Sequence, residues 1–162
     1  MNEIQRFIHN NNNIIVDTEL LLLLLAGMDG QDTIGKLKPT KKFSWKDYET
    51  LRLILGNFNE IKTSPHILTE VSNLNKHGHY RKKLFLQLEF LIKQGFLDEN
   101  FIDIKNLVKD QKFKKLGVAD IGIKEISKNN NYGVITLDLG LYLELLENGI
   151  DCINFTYYME IN

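Results

Sequence analysis

The chain has 162 residues, 43% of them hydrophobic and 25% charged, with a formal net charge of −1. Those values fit a globular domain able to bury about two thirds of the surface its unfolded form exposes. They exclude the global basic field of a typical nucleic-acid binder, whose domain pI exceeds about 9, and the single cysteine, Cys152, excludes an internal disulfide.

The opening MNEIQRFIHNNNN lacks the charged-then-apolar layout of a signal peptide, so a cytoplasmic address is expected. The Asn run at 10–13 reads as a polar lead-in to the first strand, too short for a prion-like tract. Ile14-Ile15-Val16 reads as a short strand buried on both faces, and Asp17 leaves it at once. Leu20 to Leu25 then reads as the core of a helix closing at Ala26-Gly27, far short of the ~20 apolar residues of a membrane span. Met28 to Lys42 has no clean period and reads as a long loop. Its Lys36, Lys38, Lys41 and Lys42 make either a solvated surface or an arm that contacts phosphates.

Ser44 with Asp47 three residues on reads as a capped helix start, and Tyr48, Leu51, Leu55 and Phe58 continue it, giving an amphipathic helix over 45–57. Ile61-Lys62-Thr63 fits a short strand. Pro65 opens the next helix, where its missing N–H costs nothing; Ile67, Val71 and Leu74 form the expected buried stripe, with Glu70 off it. The segment 75–78 breaks the chain. Leu84, Phe85, Leu88, Leu91 and Ile92 then predict a helix over 79–94. Its start is basic, with Lys76, His77, His79, Arg81, Lys82 and Lys83, a placement that opposes the helix dipole, so something else favours it there. Phe101 to Asn106 alternates and reads as a strand. A short lysine-rich helix over 110–116 closes at Gly117.

In the last third, Ala119, Ile123 and Ile126 make a helical stripe, ending in the turn at Asn129-Asn130-Asn131. Tyr132 to Leu137 is a predicted strand. Leu139, Tyr142, Leu143 and Leu146 make a second stripe stopped by Gly149, and Ile150 to Tyr157 a last strand. The apolar neighbours of Cys152 predict a buried thiol. No repeat or linker divides the chain, so one α/β domain over 1–162 is expected.

Four carboxylates share one address in this layout. Asp17 and Asp138 leave strands, while Glu70 and Asp120 lie in early turns of helices. If the sheet is parallel, right-handed crossovers bring all four to its carboxyl edge, where open α/β sheets build their sites. Singly, each has an ordinary role as a helix cap or a solvated charge; Asp17, at the exit of a buried strand, is the hardest to dismiss. Together they form an all-oxygen site suited to Mg²⁺ or Mn²⁺, which activates water for in-line attack on a phosphodiester. No zinc spacing, Walker loop, GxGxxG or GxSxG competes with that reading. His66, His77 and His79 are too scattered to form a metal site.

The motifs Ile14-Ile15-Val16-Asp17-Thr18, Thr63-Ser64-Pro65-His66-Ile67-Leu68-Thr69-Glu70-Val71, Leu116-Gly117-Val118-Ala119-Asp120 and Val134-Ile135-Thr136-Leu137-Asp138 resemble, in order, the acidic motifs of the PIN domain family. Gly149-Ile150-Asp151-Cys152-Ile153-Asn154-Phe155 resembles that family's last strand. The resemblance implies a three-layer α/β/α sandwich around a central parallel sheet, and a Mg²⁺- or Mn²⁺-dependent endoribonuclease. It makes Asp17, Glu70, Asp120 and Asp138 the metal-binding, catalytic acids and Thr136 a site-lining hydroxyl. Many such proteins are toxin halves of toxin–antitoxin pairs and form homodimers, so the resemblance brings in an antitoxin or regulatory partner as well.

One position departs from the pattern: the family usually has Asn two residues after the first Asp, and this chain has Glu19. A carboxylate cannot donate the hydrogen bonds of an amide. It either adds charge to the pocket, changing metal binding or weakening the enzyme, or turns away. The first expectation is therefore a ribonuclease acting on single-stranded or looped RNA, with Lys41, Lys42, Arg81 and Lys82 holding phosphates. The alternatives are a catalytically weakened PIN-fold binding or regulatory module, and a phosphatase-like or nucleotide-binding α/β domain.

Overall fold

Ile14, Ile15 and Val16 are almost wholly without solvent contact and form strand β1 (Ile14–Val16). In the computed structural model, which describes residues 1–74 and 78–159, β1 is the central strand of a five-stranded sheet. The others are β2 (Ile61–Thr63), β3 (Leu97–Glu99), β4 (Gly133–Thr136) and β5 (Cys152–Asn154), in the order β3-β2-β1-β4-β5. Every pairing is parallel, with Ile15 opposite Lys62 on one side and Val134 on the other. All residues of β1, β4 and β5 are buried because helices cover both faces, giving a three-layer α/β/α sandwich.

Helix α1 (Glu3–Asn10) precedes the sheet, and α2 (Thr18–Asp29) follows β1. Leu20 to Ala26 are all buried, since α2 packs against α3 (Gln31–Lys36), α4 (Trp45–Leu55), α5 (Pro65–Leu74) and α6 (His79–Lys93). A helix apolar all round is a core helix. At Gly27 an added Cβ would lie 2.1 Å from the Tyr48 ring, so only glycine lets α2 and α4 approach this closely. The reciprocal cap expected at Ser44 is present: Asp47 N–H donates to Ser44 Oγ at 3.2 Å and Ser44 N–H to Asp47 Oδ2 at 2.6 Å. Beyond β3 come α7 (Ile104–Leu107), α8 (Phe113–Asn130) and α9 (Leu139–Glu147). Gly117 kinks α8 with a φ of 84°, and Gly149, at φ 68°, follows the end of α9. Among the described residues, no helix is long and apolar enough to cross a membrane.

Several expectations are corrected. The Asn run leads into β1 as expected from Asn11 on, but Asn10 ends α1, a helix not read from the sequence, which starts with a capping box between Asn2 and Gln5; Asn11 is buried with its amide donating to Asp151 Oδ2 at 2.8 Å. The long loop contains α3 and a hydrogen-bonded turn in which the fully buried Thr40 donates to Ile34 O at 2.7 Å. The strand read at 101–106 lies earlier, at β3, because Asp103 caps α7 and ends the alternation. Leu74 and Ile92 are exposed. On α9 the buried side chains are Leu141, Glu144 and Leu145, while Leu139, Leu143 and Leu146 face outward. The last strand stops at Asn154 and passes into a 3₁₀ turn, Phe155–Tyr158. Cys152 is buried as expected, and burial pushes its thiol up to about 12. The break at 75–78 falls largely outside the described residues, as do Lys76 and His77.

Glu144 faces inward because Lys124 of α8 meets it. The Lys124 side chain is buried, and its ammonium donates to Asp110 Oδ2 and Glu144 Oε1, both at 2.7 Å. This buried triad joins α9 to α8 and to the segment before it. Lys124→Met is expected to lower stability by about 3 kcal/mol, because two shielded carboxylates lose their counter-charge. Urea denaturation would read this as a lower midpoint at unchanged slope.

Candidate metal centre

The chain runs from β1 through β2 to β3 on one side of the sheet, then crosses to β4 on the other side of β1. The carboxyl ends of β1 and β4 therefore flank the point where the strand order reverses, the place where such sheets open a crevice. Asp17 follows β1 and caps α2, accepting from Leu20 N–H at 3.0 Å. Asp138 follows β4 and caps α9, accepting from Leu141 N–H at 2.7 Å. Each capping carboxylate is thus fixed by the backbone it terminates. Gly140 keeps room for Asp138, since a Cβ there would lie 3.0 Å from its Oδ1.

Thr136 joins the two acids. Its hydroxyl donates to Asp17 Oδ2 at 2.7 Å and accepts from Asp138 N–H at 3.0 Å. Leu137 N–H donates to the same Asp17 oxygen at 2.6 Å. Thr136 is wholly buried, so it stands behind the pocket as a connector and does not line it. Glu70 comes from α5 and accepts from the Thr18 hydroxyl at 2.6 Å, a bond that ties α5 to the start of α2. Asp120 stands three residues beyond the Gly117 kink, which re-aims α8 so that its second segment begins at the sheet edge.

These side chains share one pocket of about 340 Å³, lined by Asp17, Thr18, Glu19, Lys42, Glu70, Asp120, Leu137 and Asp138. All four predicted acids are brought together there. Thr18 is not singled out by sequence reasoning, where its one signal is a hydroxyl directly after Asp17. Of the predicted phosphate contacts, Lys42 alone lines the pocket, where it forms an ion pair with Glu19. Lys41 and Lys82 are exposed elsewhere, and the Arg81 guanidinium donates to Ser72 O at 3.0 Å and lies over the Phe85 ring. A larger groove of about 610 Å³ is bordered by Phe101, Asn106, Lys109 and three acids, of which Asp103 caps α7, Asp110 is held by Lys124 and the third is Glu125.

Lys42 pairs with Glu19 and leaves the other four acids of the pocket crowded. Burial raises the Asp17 carboxyl above its ordinary range against the pull of its hydrogen bonds, and Glu19 adds to the rise. Asp120 is also raised, to about 7, by burial and then by the charges of Asp138, Asp17 and Glu70. Like charges gathered in a half-dry crevice disfavour ionisation, and a divalent cation removes that cost. An all-oxygen carboxylate set suits Mg²⁺ or Mn²⁺ and not zinc or copper. Among the described residues, no three acidic, His or Cys side chains are drawn together tightly enough to hold an ion as placed. Glu70 and Asp138 each hold a local donor with one oxygen, which leaves their second oxygen without that bond. No family model matches the chain, and no curated protein matches it.

Proposed function

We propose that the chain is a PIN-like endoribonuclease that hydrolyses RNA phosphodiester bonds with Mg²⁺ or Mn²⁺ held by Asp17, Glu70, Asp120 and Asp138. The observation that carries this reading is the convergence of those four acids at the switch point of a parallel sheet, with Asp120 raised to about 7 by burial and by the other three. A bound cation supplies an acidified water as nucleophile and charge to steady the leaving oxygen. Asp17 is the fixed wall of the site, held by three donors. Asp120, raised to about 7 by burial and by the other three acids, is an acid whose crowding a bound cation would relieve. Glu70, on a helix face, and Asp138 are the two exposed acids of the four. The same reading carries a cytoplasmic address, self-association as a homodimer and control by an antitoxin-like regulatory protein.

A weakened, non-catalytic binding module is the second reading, favoured by one observation: Glu19 adds a fifth carboxylate to the lining. Incubating purified protein with a mixed pool of labelled RNA in Mn²⁺, in Mg²⁺ and in EDTA separates the two. Cleavage in either metal and none in EDTA is the expected result. If wild type is inert but Glu19→Asn cuts, the second reading holds; if both are inert and neither binds Mn²⁺, the metal centre is wrong.

A further inference from the structure

The pocket sets five carboxylates against one ammonium: among the described residues, Lys42 is the one cation that lines it. An RNA phosphate entering such a pocket is repelled unless a positive group meets it at the mouth. Lys42 is fitted for that place. Its backbone is fixed by the buried Phe43 that follows and by the buried Thr40 before it, whose carbonyl accepts from Phe43 N–H at 3.0 Å. Its ammonium lies 5.2 Å from the Phe43 ring centre and is paired to Glu19. Glu19 stands in the first turn of α2, where a negative charge is favourable to the helix dipole, beside the Asp17 cap. Unlike Asp17, Glu70 and Asp138, it accepts from no hydroxyl or backbone N–H of the site; its partner is Lys42.

We infer that Glu19 is not a metal ligand but the resting partner of Lys42 in the free protein, and that Lys42 leaves it to grip the RNA phosphate beside the scissile bond. This rests on the ribonuclease reading and gives the pocket its substrate contact. The side chains of the pair are 48% and 42% exposed. An ion pair so exposed is readily broken, because water already screens its charges, and a phosphate can take over the ammonium. The arrangement offsets the extra charge of Glu19 in the free protein and yields one binding cation when substrate arrives.

The test is binding of a fluorescein-labelled single-stranded RNA to the full chain in EDTA, read by anisotropy across a salt series, so that no cutting interferes. Lys42→Met is expected to weaken binding about tenfold and to reduce the slope of log affinity against log salt by about 0.7, the loss of one phosphate contact. Glu19→Gln is expected to bind RNA at least as well as wild type, and the double variant Glu19→Gln/Lys42→Met to stay as weak as Lys42→Met alone. A double variant restored to wild type would make the pair merely structural and overturn the inference. So would a tenfold loss of Mn²⁺ affinity in Glu19→Gln, measured by titration calorimetry. Wild-type protein that binds no RNA at any salt, either in EDTA or with Ca²⁺ in place of Mg²⁺ or Mn²⁺, would instead overturn the ribonuclease reading beneath it.

Discussion

Asp138→Asn is expected to lower metal-dependent RNA cleavage by at least about a thousandfold, some 4 kcal/mol of barrier, while the protein stays folded. Asp138 does two jobs, and this substitution separates them. Its Oδ1 caps α9 through Leu141 N–H, and asparagine caps a helix about as well as aspartate. What is lost is the negative oxygen facing the pocket. Asp17→Asn is the harsher change, because both Asp17 oxygens are occupied by Leu20 N–H, the Thr136 hydroxyl and Leu137 N–H. An amide presents one acceptor and turns its own donors toward another donor, so that variant loses stability along with activity. Single-turnover cleavage in Mn²⁺, run beside thermal melting, checks both expectations. Cleavage retained by a folded Asp138→Asn protein would remove Asp138 from the chemistry.

Asp120 governs the second large effect, a metal-dependent tilt of stability with pH. Its carboxyl rises from 3.8 to about 7 on folding. Between those values the native state keeps a proton that the unfolded chain has released, so stability falls as pH rises from about 4 to about 7. Each pH step of one across that interval removes about 1.4 kcal/mol, and the loss reaches about 4 kcal/mol in protein freed of divalent cations. Asp120→Asn has no proton to lose there and is expected to be more stable than wild type at pH 8 in EDTA, with a flatter profile. Mn²⁺ should close most of that gap by stabilising wild type, since a cation bound only to the native state adds stability by mass action. Denaturant midpoints from pH 4 to pH 8, with Mn²⁺ and with EDTA, read all four arms. A wild-type profile that is flat in EDTA would mean that Asp120 is not crowded by the other acids.

The acids are legible because each stands next to a strong backbone signal. Ile14-Ile15-Val16 and Val134-Ile135 are unmistakable buried strands, Pro65 opens a helix, and a parallel sheet puts the acids that follow them at one edge. What the sequence conceals are matters of phase and of distant pairing. Leu139, Leu143 and Leu146 have the same helical spacing as Leu141 and Leu145 in another phase; Lys124, drawing in Glu144, decides which face is buried. β3 escapes detection because a three-residue edge strand with only Leu97 buried has almost no pattern of its own and exists by pairing with β2. The first helix hides behind the Asn run that follows it, although Asn2, Gln5 and the apolar Ile4, Phe7 and Ile8 spell a capped amphipathic turn. Lysine count in the 28–42 segment suggests an arm; only the turn around Thr40 selects Lys42 from it.

The bond from Thr136 to Asp17 spans 119 residues, and β1 stays half-covered until β4 docks beside it. Closing so long a loop is slow and late, since its entropy must be met before the contact rewards it. During synthesis, a chain emerging from the ribosome carries Asp17 and Glu70 long before Asp120 and Asp138 exist. On the ribonuclease reading, this order of assembly keeps the four acids apart until β4 has been made and docked beside β1.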